Sequence, residues 1–222
     1  MSSGAGELVA GWCAQEVEQE LPGLRLLSAF VEVTRNDSLT GPSPADVLAR
    51  LDEKANQLRG ANAVAVRREP VPSAYRVFFR HIGLDPEVVR TPIEAAVFER
   101  MMQGGLLTRG LLADVLLIGL LDTGVPLWAL DAEQVAGPLG IRPSAPGECL
   151  GRAPDAAELP DGRLVVADSE TPLAVLFGEL AAAHVPTSHT RRLQLFAVQV
   201  AGVPSLYLEE ALWGVGAALE AS

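Results

Sequence analysis

The 222-residue sequence predicts an α+β fold: a single compact domain with helices in the first half, a β-rich second half and a closing C-terminal helix. Three observations carry that expectation. Between residues 14 and 122 apolar positions recur at helical spacing, bounded by start and stop signals. From Leu139 to Gly202 the pattern changes to short apolar runs cut by Pro, Gly and Asp. Helical spacing then returns after Pro204. With 49% hydrophobic residues the chain fills a sizeable core, and its length favours one domain, an N-terminal α/β portion over about 1–73 leading into a core over about 74–222.

The elements follow in order. "AQEVEQELPG" sets Val17 and Leu21 four apart and stops at Pro22-Gly23, which predicts a short amphipathic helix. "LRLLSAFVEVT" reads as a strand. "NDSLTGPSP" breaks structure, and Ser43, with Pro44 at the first helical position, opens a helix to about Arg59 that aligns Val47, Leu48, Leu51 and Leu58. A helix is expected over 74–82, then a turn at "GLDP". Thr91-Pro92, with Glu94 at capping-box spacing, starts a helix that runs to Met102 and closes at Gly104-Gly105. The next helix, roughly 106–122, is apolar nearly all round, which implies burial. "GVPLWALD" reads as a turn carrying an indole, and "LGIRPS", "GRLVVAD", "PLAVLFGE" and "RLQLFAVQVAG" read as strands. "PSLYLEEALWGVGAALEA" spaces Leu206, Leu208, Leu212, Val215 and Leu219 as a last helix.

Charge and cysteine content narrow the partners. A net charge of -11 repels phosphate backbones at long range, so free nucleic acid, and DNA in particular, is not expected. Cys13 and Cys149 are far apart and show no metal-ligand spacing, so no metal, cofactor or disulfide framework is expected and a reducing cytoplasm fits. "MSSGAGELVAG" lacks the regions of a secretory signal. "LLTRGLLADVLLIGLL" is too short to span a bilayer and carries Arg109 and Asp114, so no membrane is expected.

Candidate functional residues each have a plainer role beside the chemical one. Trp128 is a bulky amphipathic ring in the middle of "PLWALD" and is costly to place unless it covers something; core filling is the alternative. Asp114 lies within an apolar helix and therefore needs Arg or backbone partners. Asp131 and Asp168 are pocket carboxylates or turn braces. Arg90 and Thr91, ahead of a helix, are an anion site or a cap. His184 and His189 read as solvated loop residues because Pro186 excludes a helical metal spacing, and His81 as an interfacial helix residue. "HTRR" at 189–192 is a phosphate contact or a solvated pair.

The order of "GLLADVLLIGLLDTGVPLWALDAEQVAGPLGIRPSAPGE", "LPDGRLVVADSETPLAVLFGE" and "HTRRLQLFAVQVAG" resembles the tRNA-binding and editing domain of the phenylalanyl-tRNA synthetase β subunit. Upstream, "ELPGLRLLSAFVEVT" and "RTPIEAAVFERMM" are similar to stand-alone proteins consisting of that domain. The resemblance implies a pocket that receives the aminoacyl end of mischarged tRNA and hydrolyses the ester. It matches Asp114 to a helix Asp, and Pro126, Leu127, Ala129 and Asp131 to a Pro-Leu-His-Ala-Phe-Asp turn. Gly147-Glu148, Asp168 and Thr190 match further motif positions.

The departures bear on chemistry. Trp128 stands where the resemblance implies a His, Phe196 where it implies a Glu, and Gly110 where it implies an Asn. An indole offers one donor and no acceptor, so acid/base catalysis by that side chain is lost. Losing the Glu removes selection for a phenol, leaving a more apolar cavity or a filled one. The expected site is therefore Thr190 as the group positioning water, with Arg90, Thr91, Asp114, Pro126, Leu127, Trp128, Asp131 and Phe196 binding substrate. Three functions compete: a trans-acting deacylase of mischarged aminoacyl-tRNA with altered specificity, a noncatalytic module binding a free amino acid or related small ligand, and an interaction subunit or homo-oligomer docking through Tyr207 and Trp213.

Overall fold

The first strands already join two sheets. In the computed structural model, which describes residues 7–34, 38–59, 65–153 and 156–220, β1 (Leu8–Ala10) pairs with β3 (Arg25–Glu32), while β2 (Trp12–Cys13) pairs in parallel with β5 (Gly140–Pro143). Gly11 sits between them because a Cβ there would lie 2.6 Å from the Leu139 carbonyl. Gly140 is covered by the Trp12 indole, whose ring would be 2.0 Å from an added Cβ. The expected absence of a signal falls largely on residues 1–6, and part of the "NDSLTGPSP" break on 35–37, outside the described residues.

The first sheet has the order β1-β3-β8-β4 and is antiparallel throughout, with β4 at Leu127–Asp131 and β8 at Arg192–Gln199. β3 and β8 run together from Arg25 opposite Gln199 to Glu32 opposite Arg192, so the first 73 residues and the C-terminal half share one sheet. Positions 193–198 are all buried, as expected of a strand covered on both faces. The second sheet has the order β2-β5-β6-β7, with β6 at Leu164–Ala167 and β7 at Pro172–Val175. The α+β expectation holds, and "GVPLWALD" is corrected: Pro126 leads into a strand, not a turn.

The described residues form six helices. α1 (Gln15–Glu20) is the short helix expected, and buries Val17. α2 (Ala45–Gln57) starts one residue later than expected: Pro44 occupies the cap, and the Ser43 hydroxyl donates to Asp114 instead. Val47, Leu51 and Ala55 face inward, whereas Leu48 is exposed. α3 (Pro70–His81) begins a turn ahead of residue 74 because Pro70 fits a first helical turn, where no N–H is needed. α4 (Pro92–Gln103) has the capping box read from Thr91 and Glu94, and ends at Gly104 in the left-handed region (φ 73°).

α5 (Leu111–Thr123) is shorter than expected, because residues 106–110 ahead of it form neither helix nor strand. Gly110 is the helix cap, not a residue within the helix; its φ of 105° and the Gly41 and Thr40 carbonyls 3.1 Å from an added Cβ leave no place for a side chain. α6 (Ser205–Glu220) crosses α5 at Gly119, where a Cβ would meet Val215 at 2.7 Å and Leu127 at 2.9 Å. Both helices pack on the first sheet, and together they make the largest apolar cluster. Leu206, Tyr207 and Trp213 of α6 remain exposed. No described helix is long and apolar enough to cross a membrane.

Candidate functional site

Alternation along β4 decides which side chains share a face. Trp128 lies opposite Phe196 of β8, and their rings stack with centroids 5.5 Å apart and planes 13° apart. Phe177 meets the other aromatic rings edge-on: its centroid is 5.8 Å from Trp128 and 5.6 Å from Tyr75 and Phe78, with Phe79 tilted at 5.5 Å. Tyr75 is buried and donates its hydroxyl proton to the Val198 carbonyl oxygen at 2.8 Å. Phe177 follows β7 and takes φ 58°, a left-handed conformation that costs a bulky residue energy and persists only when its surroundings over-determine it. Four aromatic neighbours supply that constraint.

Beside these rings lies a cavity of about 380 Å³, within the size range of small-molecule sites. Its apolar walls come from α4, α5 and the loop before α5, including Leu106, Leu116 and Leu117, and from Trp128 and Phe177. Its polar residues are Glu99, Arg109 and Asp114. α5 is apolar all round because one side packs in the core while another lines this hollow.

Asp114 is buried and accepts three hydrogen bonds: from the Ser43 hydroxyl at 2.6 Å, from the Arg109 backbone N–H at 2.9 Å and from the Thr108 hydroxyl. The backbone partner was expected; the other two are hydroxyls, and no Arg side chain is among them. The carboxylate thereby pins the 108–110 loop to the segment before α2. Arg109 donates from Nη2 to Glu99 Oε1 at 2.5 Å at the cavity's edge.

The sequence-derived residues separate into several places. Asp114, Pro126, Leu127 and Trp128 line the cavity, and Phe196, fully buried, backs Trp128. Arg90 lies elsewhere, over the Phe98 ring at 3.9 Å, beside a separate hollow of about 270 Å³ that includes Arg67 and Met101. Thr91 is buried, and its hydroxyl donates to Glu94 Oε2 at 2.8 Å as the helix cap. Arg76 is held by Glu87 and Glu94 in the same region.

Asp131 and Thr190 meet at the far end of β4. The Thr190 hydroxyl donates to Asp131 Oδ2 at 2.6 Å and accepts from the Thr187 N–H at 3.0 Å, while Asp131 Oδ1 accepts from the Glu133 N–H. Neither residue lines the cavity beside Trp128. Asp168 accepts from the N–H groups of Ala136, Glu170 and Thr171, each at 2.8 Å. Glu148 forms a two-pronged pair with Arg142 (2.5 and 2.7 Å), and the hydrogen bonds from that guanidinium hold its carboxyl below the ordinary range.

His184 is corrected from a solvated to a buried residue, whose burial holds its pKa below the usual imidazole value; His189 is exposed, as expected of a loop. His81 is exposed at the end of α3. In "HTRR", Arg191 donates to the carbonyls of Ser188 and Thr190, and Arg192 pairs with Glu32 and covers Phe30. Among the described residues no group of three or more His, Cys, Asp or Glu side chains is arranged to hold a metal ion. The sequence reading missed Phe177, Glu99 and the 106–107 wall; Gly178 after Phe177 signals a turn but not which residue takes positive φ.

The strand carrying Trp128, the helix carrying Asp114 and their spacing can now be set beside known proteins. The chain is similar to part of the phenylalanine--tRNA ligase beta subunit. Over 155 residues it is 31% identical to that subunit from Legionella pneumophila (strain Lens), covering 67% of this chain and 19% of the relative. It is 35% identical over 97 residues to the subunit of Xanthomonas oryzae pv. oryzae (strain MAFF 311018), 42% of this chain and 12% of the relative. It is 35% identical over 88 residues to that of Xylella fastidiosa (strain Temecula1 / ATCC 700964), 40% of this chain and 10% of the relative. The chain thus spans a fifth or less of these relatives' length. No family model matches it.

Proposed function

We propose that this chain is a tRNA-related domain whose cavity recognises the apolar side chain of an aminoacyl group. The observation that carries this reading is the hollow of about 380 Å³ walled by leucines, Trp128 and Phe177. Its surroundings favour dispersion and ring stacking over hydrogen bonding. The relatives' name, a ligase joining phenylalanine to tRNA, supplies the aminoacyl class. Trp128 supplies no proton acceptor, and Asp114 is already engaged by three donors. The module therefore binds, and neither Trp128 nor Asp114 supplies an acid or base within the cavity.

A second reading is a trans-acting deacylase: water adds to the ester carbonyl, the ester C–O bond breaks, and a free amino acid and a tRNA hydroxyl leave. One observation favours it, the Thr190 hydroxyl paired with the Asp131 carboxylate at 2.6 Å. Two measurements separate the readings. Thermal melting with apolar amino acids, their amides and their esters is expected to rise with ligand, and to stay flat in Trp128→Ala. A panel of mischarged aminoacyl-tRNAs is expected to show no turnover above the uncatalysed rate. Turnover of any one, abolished in Thr190→Ala, establishes the deacylase instead.

A further inference from the structure

Resting on the aminoacyl reading of this cavity, we propose that it takes a free α-amino acid as its zwitterion, with Glu99 receiving the ammonium and Arg109 the carboxylate while the side chain lies against Trp128 and Phe177. The lining is apolar except for three residues, and Asp114 is engaged by Ser43, Thr108 and the Arg109 N–H. The remaining two carry opposite charges and touch, Nη2 to Oε1 at 2.5 Å. That contact engages one of the guanidinium's five N–H groups and one carboxylate oxygen, leaving further directions on both for a ligand.

An α-amino acid carries its two charges on groups attached to one carbon. Laid antiparallel against a contacting Arg–Glu pair, each ligand charge faces its opposite, and one ion pair becomes a four-charge array with no net charge added. An aminoacyl ester keeps the ammonium but has lost the carboxylate, which leaves Arg109 unanswered. The chain's net charge of -11 acts in the same direction, since it repels a phosphate polymer and is indifferent to a neutral zwitterion. Arg109 is largely exposed and Glu99 partly so, at 65% and 29% of the side chain, so both charged groups are open to solvent, whereas Leu120 and Leu127 of the apolar wall are buried.

The test titrates the whole chain with phenylalanine and leucine, their amides and their N-acetyl derivatives, by calorimetry and by indole fluorescence. The wild type is expected to bind each free amino acid about tenfold more tightly than either derivative, the loss of one charge-assisted hydrogen bond. Arg109→Gln removes the preference over the amide and retains that over the N-acetyl form; Glu99→Gln does the reverse. Both residues are at the rim, and unchanged circular dichroism and melting confirm folding of the variants. Equal affinity for acid and amide overturns the zwitterion assignment and leaves the apolar cavity standing. Absence of binding by all six compounds overturns the aminoacyl reading itself.

Discussion

Trp128 and Asp131 are three residues apart on β4, yet the strand's two ends are built on opposite principles. At Trp128 stacked and edge-on rings leave a hollow beside them. At Asp131 both carboxylate oxygens are taken, by Thr190 and the Glu133 N–H, and the polar groups close on one another. A stretch that reads as one motif therefore supplies a wall at one end and a brace at the other. Matching residue types to a family pattern finds both without telling them apart, because the distinction lies in what the neighbouring strand and loops place opposite each side chain.

The largest expected effect falls on the polar side of the cavity. Asp114→Ala leaves the Ser43 and Thr108 hydroxyls and the Arg109 N–H without their acceptor, at a cost of about 3 kcal/mol, read as a lowered urea midpoint. Asp114→Asn keeps one acceptor oxygen and should lose about half as much. Phe177→Ala comes next, at about 2–3 kcal/mol, below the figure for a fully buried ring because Phe177 is partly exposed. Phe177→Gly should be no less stable than Phe177→Ala, since glycine adopts φ 58° freely. A markedly less stable glycine variant refutes backbone strain at this wall.

Thr190→Val sharpens the comparison from the other end. It removes a charge-assisted hydrogen bond, costing about 2 kcal/mol, and should leave amino-acid affinity unchanged. An affinity loss matching that of Trp128→Ala would merge the two ends into one site. The smallest effects are in pH dependence. His184 titrates below its ordinary value when folded, so the unfolded chain takes up its proton first and stability falls as pH drops through about 6.5; His184→Gln should flatten that loss. Glu148 is likewise depressed, so its contribution is complete above about pH 5 and is lost as pH falls through the folded value; Glu148→Gln should alter the acid limb only there.

What was legible follows from local signals. Thr91, Pro92 and Glu94 specify a helix start by themselves, and the capping box is present. β3 and β8 have long apolar runs and are found in place. β1 and β2, with three and two residues, carry no periodicity to read, and their pairing partners lie far off in sequence. β4 reads as a turn because Gly124, Pro126 and Asp131 bracket it, although Leu127 and Ala129 alternate with Trp128 and Leu130 as a strand requires. The site was half legible: Trp128 and Asp114 were singled out by their incongruity with an apolar setting. Glu99 and Arg109 were not, since charges on a helix and a loop are ordinary until a cavity is known to lie between them.

The junction at Gly11 has a consequence for the order of assembly. Residues 8–13 hydrogen-bond to β3 on one side and to β5 on the other, so this clasp engages fully only on an edge that both halves have already formed. Contacts of such long sequence separation are slow to make, and the Trp12 ring, seated over Gly140 with its indole N–H donated to the Pro138 carbonyl at 3.1 Å, settles with them. In refolding, the Trp12 emission should reach its native value after the β3–β8 backbone acquires protection from exchange; simultaneous recovery would mean that the two halves are never separate.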